Sequence, residues 1–137
     1  MIKVIAGLKG SGKTKILIDM VNDATSTEKG DIVCIENQMK LTYDINYRAR
    51  LIQASQYNVN SFQKFYGFIS GIVASNYDLT SIFIDSIYKI CGYDPKGFVD
   101  FIYNMEELFK SFDSNIRLVL TVTEDVTMLP DEIKKYI

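Results

Sequence analysis

The chain has no histidine among its 137 residues. An imidazole general base and a Ser-His-Asp triad are therefore excluded. Any chemistry must run on carboxylates, lysines, hydroxyls, backbone amides and a hard metal ion. Cysteine is scarce, with Cys34 and Cys91 the only two. Two isolated cysteines without histidine make no zinc site. Cys34, in the run Ile32-Val33-Cys34-Ile35, reads as a small buried hydrophobe. Arginine occurs only as Arg48, Arg50 and Arg117. No apolar stretch approaches the roughly 20 residues that span a bilayer. No secretory pattern precedes the first apolar run, Met1 to Ile5, so a reduced, cytoplasmic protein without a membrane span is expected. The net charge of −2 lacks the basic surplus of a dedicated nucleic-acid binder, and no clear nucleic-acid surface is visible. Repeats, low-complexity tracts and linkers are also missing, so residues 1–137 are expected to form one domain.

What is present is an alternation of apolar runs and helical patterns, with 47% hydrophobic residues to fill a core. Strands are expected at Ile2–Ala6, Asp31–Glu36, Thr80–Ile87 and Ile116–Thr123, with a short one at Gln56–Asn60. Helices are expected over about 12–22, 42–55 and 62–75. The 42–55 helix rests on Leu41, Ile45, Ala49 and Ile52 at helical spacing. In the 62–75 helix, Gly67 and Gly71 leave a flat strip suited to close packing on a sheet. Asp94-Pro95 reads as a helix start, with an N-cap carboxylate followed by proline at the first helical position. That helix should run to about Phe112, and a short helical tail should follow Pro130. Strands alternating with helices predict an α/β fold, a parallel sheet covered on both faces.

The strongest local signal is Gly7-Leu8-Lys9-Gly10-Ser11-Gly12-Lys13-Thr14, a phosphate-binding P-loop pattern. The glycines let the backbone curl so that successive N–H groups point at phosphate oxygens, and the helix that follows adds its positive end. Lys13 is a point charge for the β- and γ-phosphates, and Thr14 offers a hydroxyl to Mg²⁺. Residues Gly7 through Lys15 are thus the candidate nucleotide-binding set, with ATP and Mg²⁺ as the expected cofactors. Asp85 ends the apolar run Ser81-Ile82-Phe83-Ile84, as a metal-holding carboxylate at the sheet edge would. Glu36 ends the second strand. If that strand lies beside the Asp85 strand, Glu36 can polarise the water that attacks a γ-phosphate. Lys13 and Glu36 are therefore the candidate catalytic residues, and Thr14 and Asp85 the candidate metal ligands.

In this order of signals the chain resembles the ATPase core of RecA-like, additional-strand P-loop proteins. The resemblance is carried by Gly7–Thr14, Ile35-Glu36 and Ile84-Asp85-Ser86 and covers about residues 1–123. It implies a three-layer fold and a five-stranded, mainly parallel sheet in the order 3-2-4-5-1. The last strand would then lie between the Asp85 strand and the P-loop strand, with Thr121 or Thr123 near the γ-phosphate. Plain β-propensity also accounts for both threonines. The chain stops soon after its fifth strand, where RecA-like motors continue.

Several functions fit these features. The leading one is a small Mg²⁺-dependent ATPase. A small-molecule kinase would use Glu36 or Asp44 on an acceptor hydroxyl, with Arg48 beside it; such kinases place the Asp85-type strand next to the P-loop strand. A third possibility is a nucleotide-dependent interaction module without useful turnover, acting on a protein partner or a second copy. Arg48 or Arg50 could reach a nucleotide as an arginine finger, although surface arginines are the commoner case. Tyr43 and Tyr47 could face a partner or cover the edge of the core. A GTPase would need Asn-Lys-X-Asp after an apolar strand, and Thr121-Val122-Thr123-Glu124 does not match it.

Overall fold

A computed structural model describes residues 1–112 and 115–137. Five strands form one sheet: β1 (Ile2–Gly7), β2 (Asp31–Glu36), β3 (Ala49–Gln53), β4 (Leu79–Ile84) and β5 (Arg117–Thr123). Their order is β1-β5-β4-β2-β3, and every strand pair is parallel. This is the expected 3-2-4-5-1 order, with β5 between the P-loop strand and the Asp85 strand. The α-helices among the described residues are α1 (Lys13–Thr27), α2 (Phe62–Ser75), α3 (Ile87–Cys91), α4 (Pro95–Ser111) and α5 (Asp131–Lys134).

Strand side chains alternate between two cores, because successive residues of a strand face opposite sides. Val33, Ile35, Ile82, Ile84, Leu118 and Leu120 join one core with α2, α3 and α4. Ile32, Cys34, Phe83 and Val119 join the other with Leu17, Val21 and Ala24 of α1. The result is three layers, α/β/α. Each fully buried Leu, Ile or Phe contributes roughly 1.5–3 kcal/mol of transfer free energy. On the larger face, Phe62 stacks on Phe98 with ring centroids 5.6 Å apart, and Phe65 on Phe101 at 5.5 Å, which ties α2 to α4. Ser61 caps α2 by accepting from Lys64 N, and Asp94 caps α4 by accepting from Gly97 N.

The segment after β2 differs from the expected helix. Residues 42–48 form turns, and Ala49–Gln53 is the third strand, paired with β2 from Ile32↔Ala49 to Glu36↔Gln53. Of the strand expected at Gln56–Asn60, Gln56 and Tyr57 belong to a 3₁₀ turn, Ala54–Tyr57, and residues 58–60 are not strand either. The reason is side-chain competition for the backbone. Asn46 Oδ1 accepts from Arg48 N, while Asn22 of α1 accepts from Asn46 N and donates to the Asp44 carbonyl. Leu41 and Ile45 are buried against α1, but as loop anchors. The glycine strip of α2 also behaves differently. A Cβ at Gly67 or Gly71 would meet nothing within 4 Å, so both glycines lie on the open side of the helix. β4 ends at Ile84, and α3 begins three residues later, inside the stretch expected to remain strand.

Candidate functional site

Parallel strands gather their C-terminal ends at one edge, and the candidate residues arrive there from β1, β2, β4 and β5. After β1, the chain turns through residues 8–12 into α1. Gly10 and Gly12 have φ of +83° and +86°, the left-handed region where a Cβ is strained. A Cβ at Gly7 would lie 2.4 Å from Ser11 Oγ and 3.1 Å from Ser11 Cβ, so the Ser11 side chain would have to move. No side chain caps the first turn of α1, so the N–H groups of its opening residues, Lys13, Thr14 and Lys15, lack intrahelical partners. Lys13 is buried and folds back over the loop, donating from Nζ to the Leu8 carbonyl at 3.0 Å and to Ser11 Oγ at 3.5 Å. Leu8 and Lys9 are exposed at the loop tip. Lys15 points outward and pairs with Asp19 at 3.5 Å.

Thr14 and Asp85 meet across the edge. Thr14 Oγ1 donates to the Asp85 carboxylate, 3.3 Å from Oδ1 and 3.5 Å from Oδ2. Asp85 is held from two further directions. Its N–H donates to the Ile35 carbonyl at 2.9 Å, which extends the β2–β4 pairing beyond the last strand residues. Thr121, fully buried, donates from Oγ1 to Asp85 Oδ1 at 2.9 Å and accepts from Ser86 N at 2.7 Å. Ser86 itself sits in the left-handed region, with φ of +58°. The Thr121 contact holds the turn by which the chain leaves β4 and enters α3. Thr123, the other threonine singled out in the sequence, is exposed at the end of β5.

Because β2 pairs with β4, Glu36 emerges beside Asp85, and both line one cavity of about 180 Å³. Glu36 is only 3% exposed. Its carboxylate accepts from two backbone amides, Oε1 from Lys40 N at 2.9 Å and Oε2 from Leu41 N at 3.1 Å. Burial raises the Glu36 pKa, the two amide hydrogen bonds oppose that rise, and the neighbouring Asp85 charge adds to it. Glu36 therefore also holds the loop that follows β2, a task the sequence did not indicate.

The remaining candidates lie elsewhere. Arg48 donates from its guanidinium to the Thr25 carbonyl, at the opposite end of α1 from Lys13. Arg50 is exposed on β3 and pairs in register with Val33, well below the edge that Glu36 reaches. Arg117 begins β5 and pairs with Glu28 at 2.8 Å. No arginine of this chain thus stands at the sheet edge of its own site. Asp44 is exposed in the turn beside Asn22 of α1, away from that edge. Tyr43 and Tyr47 are almost wholly exposed and do not cover the core. Both cysteines are free and buried; burial pushes the Cys34 thiol far up and that of Cys91 up to about 12. Among the described residues, no helix is long and apolar enough to cross a membrane.

No protein-family model matches the chain, and no curated protein matches it in sequence. Solved structures do match. One is the pCW3 conjugation coupling protein TcpA in its monomer form with ATPgS, 15% identical, with a TM-score of 0.54. The match covers 99% of this chain and 46% of that one, so the chain spans just under half of its neighbour's length. Together with the layer arrangement and strand order, this likeness identifies the three-layer P-loop NTPase fold.

Proposed function

We propose that this chain binds ATP with Mg²⁺ on the loop from Gly7 to Lys15 and hydrolyses it as a compact ATPase of RecA-like type. The observation that carries the proposal is the meeting of Thr14 with Asp85 in front of a glycine loop that Lys13 closes. The loop amides and the N-terminus of α1 are suited to phosphate oxygens. Lys13 exchanges its contact with the Leu8 carbonyl for a phosphate oxygen. Thr14 Oγ1 and Asp85 Oδ1 are hard oxygen donors 3.3 Å apart. Adjacent ligands of an octahedral Mg²⁺ stand about 3 Å apart, so this donor pair fits the ion with little movement. Bound there, the ion would neutralise charge on the β- and γ-phosphates. Thr121 fixes the Asp85 rotamer from behind. Glu36, with its raised pKa, is the candidate to orient or deprotonate water, as each carboxylate oxygen keeps a second lone pair.

The sheet order speaks against the kinase alternative, because β5 separates β4 from β1. One observation favours the interaction module instead. Both Glu36 oxygens are already committed to loop amides, which limits their freedom to serve as a base.

Titration with ATP, in the presence and absence of Mg²⁺, followed by a phosphate-release assay, tests the proposal. Lys13→Ala should weaken ATP binding by roughly tenfold or more, the size of one lost charge-assisted contact. Binding that Lys13→Ala leaves unchanged would remove the phosphate-site reading. Magnesium-dependent binding without phosphate release would favour the interaction module.

A further inference from the structure

The three arginines of the chain are all placed away from its own candidate nucleotide site, yet a cation on the far side of a phosphoryl group gathering charge speeds its transfer. We propose that Lys89 is that cation: a residue of the same chain that contacts the terminal phosphate of the bound nucleotide. The inference rests on the ATP-site reading above and adds a residue that the loop motif does not contain.

Two cavities flank the Asp85-Ser86 turn. One, of about 180 Å³, includes Glu36, Asn37, Lys40, Asp85, Ser86 and Lys89 in its lining. The other, of about 170 Å³, is lined by Lys9, Ser86, Tyr88, Lys89 and Thr123. Ser86 and Lys89 are the residues common to both. Lys89 therefore stands between a cavity that reaches Lys9, at the tip of the glycine loop, and a cavity that reaches Glu36. Lys40 borders only the first cavity and Lys9 only the second.

The fold fixes this position. Thr121 holds Ser86 in its left-handed conformation, which sets the direction of α3. Ile87, Ile90 and Cys91 of α3 are buried in the core. Those three anchors leave Lys89 on the open side of the helix, above the C-terminal ends of β4 and β5. Its backbone N–H donates to the Ser86 carbonyl at 2.9 Å, closing the first turn. Among the described residues Lys89 forms no ion pair, although Glu36 and Asp85 line the same cavity. An exposed lysine beside two carboxylates that satisfies neither is available to an incoming anion. The chain's own arginines cannot substitute. Arg48 is bound to the far end of α1, Arg117 is paired with Glu28, and Arg50 lies low on β3.

The test compares nucleotides that differ only at the terminal group. Dissociation constants for Mg²⁺-ADP and for Mg²⁺-ADP with aluminium fluoride are measured on the full chain, for wild type, Lys89→Ala, Lys89→Arg and Lys40→Ala. The expected result is that wild type prefers the aluminium fluoride complex. Lys89→Ala should lose roughly tenfold of that preference, the size of one charge-assisted hydrogen bond, with ADP affinity within about twofold of wild type. Lys89→Arg should restore most of it, and Lys40→Ala should retain it. Lys89 is exposed, so the variants should keep the wild-type urea midpoint, which is measured alongside. A wild type that binds ADP without any preference would overturn the inference. So would a Lys89→Ala variant with the full preference, or an equal loss in Lys40→Ala, which would indicate a general field and not a contact. A wild type that binds neither nucleotide would instead refute the ATP-site reading itself.

Discussion

Replacing Glu36 by glutamine is the usual way to ask whether a glutamate activates water, and here it should also disturb the fold. Glu36 accepts from Lys40 N at 2.9 Å and from Leu41 N at 3.1 Å, one bond to each oxygen. Glutamine keeps one acceptor oxygen and turns its amide N–H toward the other backbone donor. One hydrogen bond to a charged acceptor is worth about 1.5–3 kcal/mol. Part of that loss is offset, because a neutral side chain no longer pays to bury a carboxylate. The net destabilisation should be about 1–2 kcal/mol, read as a lower urea midpoint at unchanged m-value. The pH dependence sharpens the test. Burial, with Asp85 adding to it, raises the Glu36 pKa in the folded state, so between the unfolded and folded values the native chain holds a proton that the unfolded chain has released. Native stability from this group is therefore present below the ordinary carboxyl range and is lost as pH rises through the folded pKa. Glutamine does not titrate, so the gap between wild type and variant should widen as pH falls across that window. Amide exchange at Lys40 and Leu41 should accelerate in the variant. A Glu36→Gln protein with wild-type stability and unchanged exchange at both amides would refute this account of the loop. A gap that narrows as pH falls would refute the sign of the shift.

Other consequences can be measured separately. Thr121→Val keeps the shape but strips Ser86 N and Asp85 Oδ1 of a partner, so it should cost about 2–4 kcal/mol in urea unfolding and weaken Mg²⁺-dependent nucleotide binding; Thr121→Ser, which retains the hydroxyl, should keep most of that binding. Gly12→Ala places a Cβ at φ +86° and should lower stability by about 1–2 kcal/mol, seen as a reduced thermal midpoint, with loss of nucleotide affinity. Asn22→Ala removes two hydrogen bonds that tie residues 44 and 46 to α1; it should speed amide exchange at Asn46 and leave ADP affinity unchanged, because the tie lies far along α1 from Lys13.

Much of the architecture was legible because it is local. The apolar runs of β2, β4 and β5 are short, continuous and bounded, as strands buried on both faces must be. Asp94 marks the start of α4 by a side-chain cap that depends only on the next three residues. The strand order came from the resemblance and matches the structure, although no local rule dictates it. The segment after β2 departs from its helical spacing for a physical reason. Leu41, Ile45, Ala49 and Ile52 do recur at helical spacing, but the first two are buried as loop anchors and the last two belong to a strand. What decides between these outcomes is Asn22, a residue about twenty positions away, whose amide occupies the backbone that a helix would have needed.

The site divides in the same way. Gly7 to Thr14 is a contiguous motif, because the proposed phosphate site is built from one loop and the helix that follows it. Asp85 and Glu36 were visible as polar residues ending apolar runs. Glu36's two amide bonds were not, since they depend on how residues 37–41 return to it. Thr121 carried an ambiguous signal. A threonine on a strand satisfies β-propensity whether or not its hydroxyl is used, and burial between Asp85 and Ser86 is what separates it from exposed Thr123. Lys89 had no motif at all. Its placement follows from a chain of constraints: Thr121 bonds Ser86, Ser86 turns left-handed, α3 is aimed by that turn, and three buried apolar residues leave one lysine facing the edge. If that chain is correct, loss of the Thr121 hydroxyl should reach the terminal phosphate through Lys89 as well as through Asp85. In a double-mutant cycle, Thr121→Val and Lys89→Ala should then show less than additive loss of the preference for ADP with aluminium fluoride. Additive losses would mean that Lys89 holds its position without the Ser86 turn, and the proposed route from β5 to the phosphate would fail.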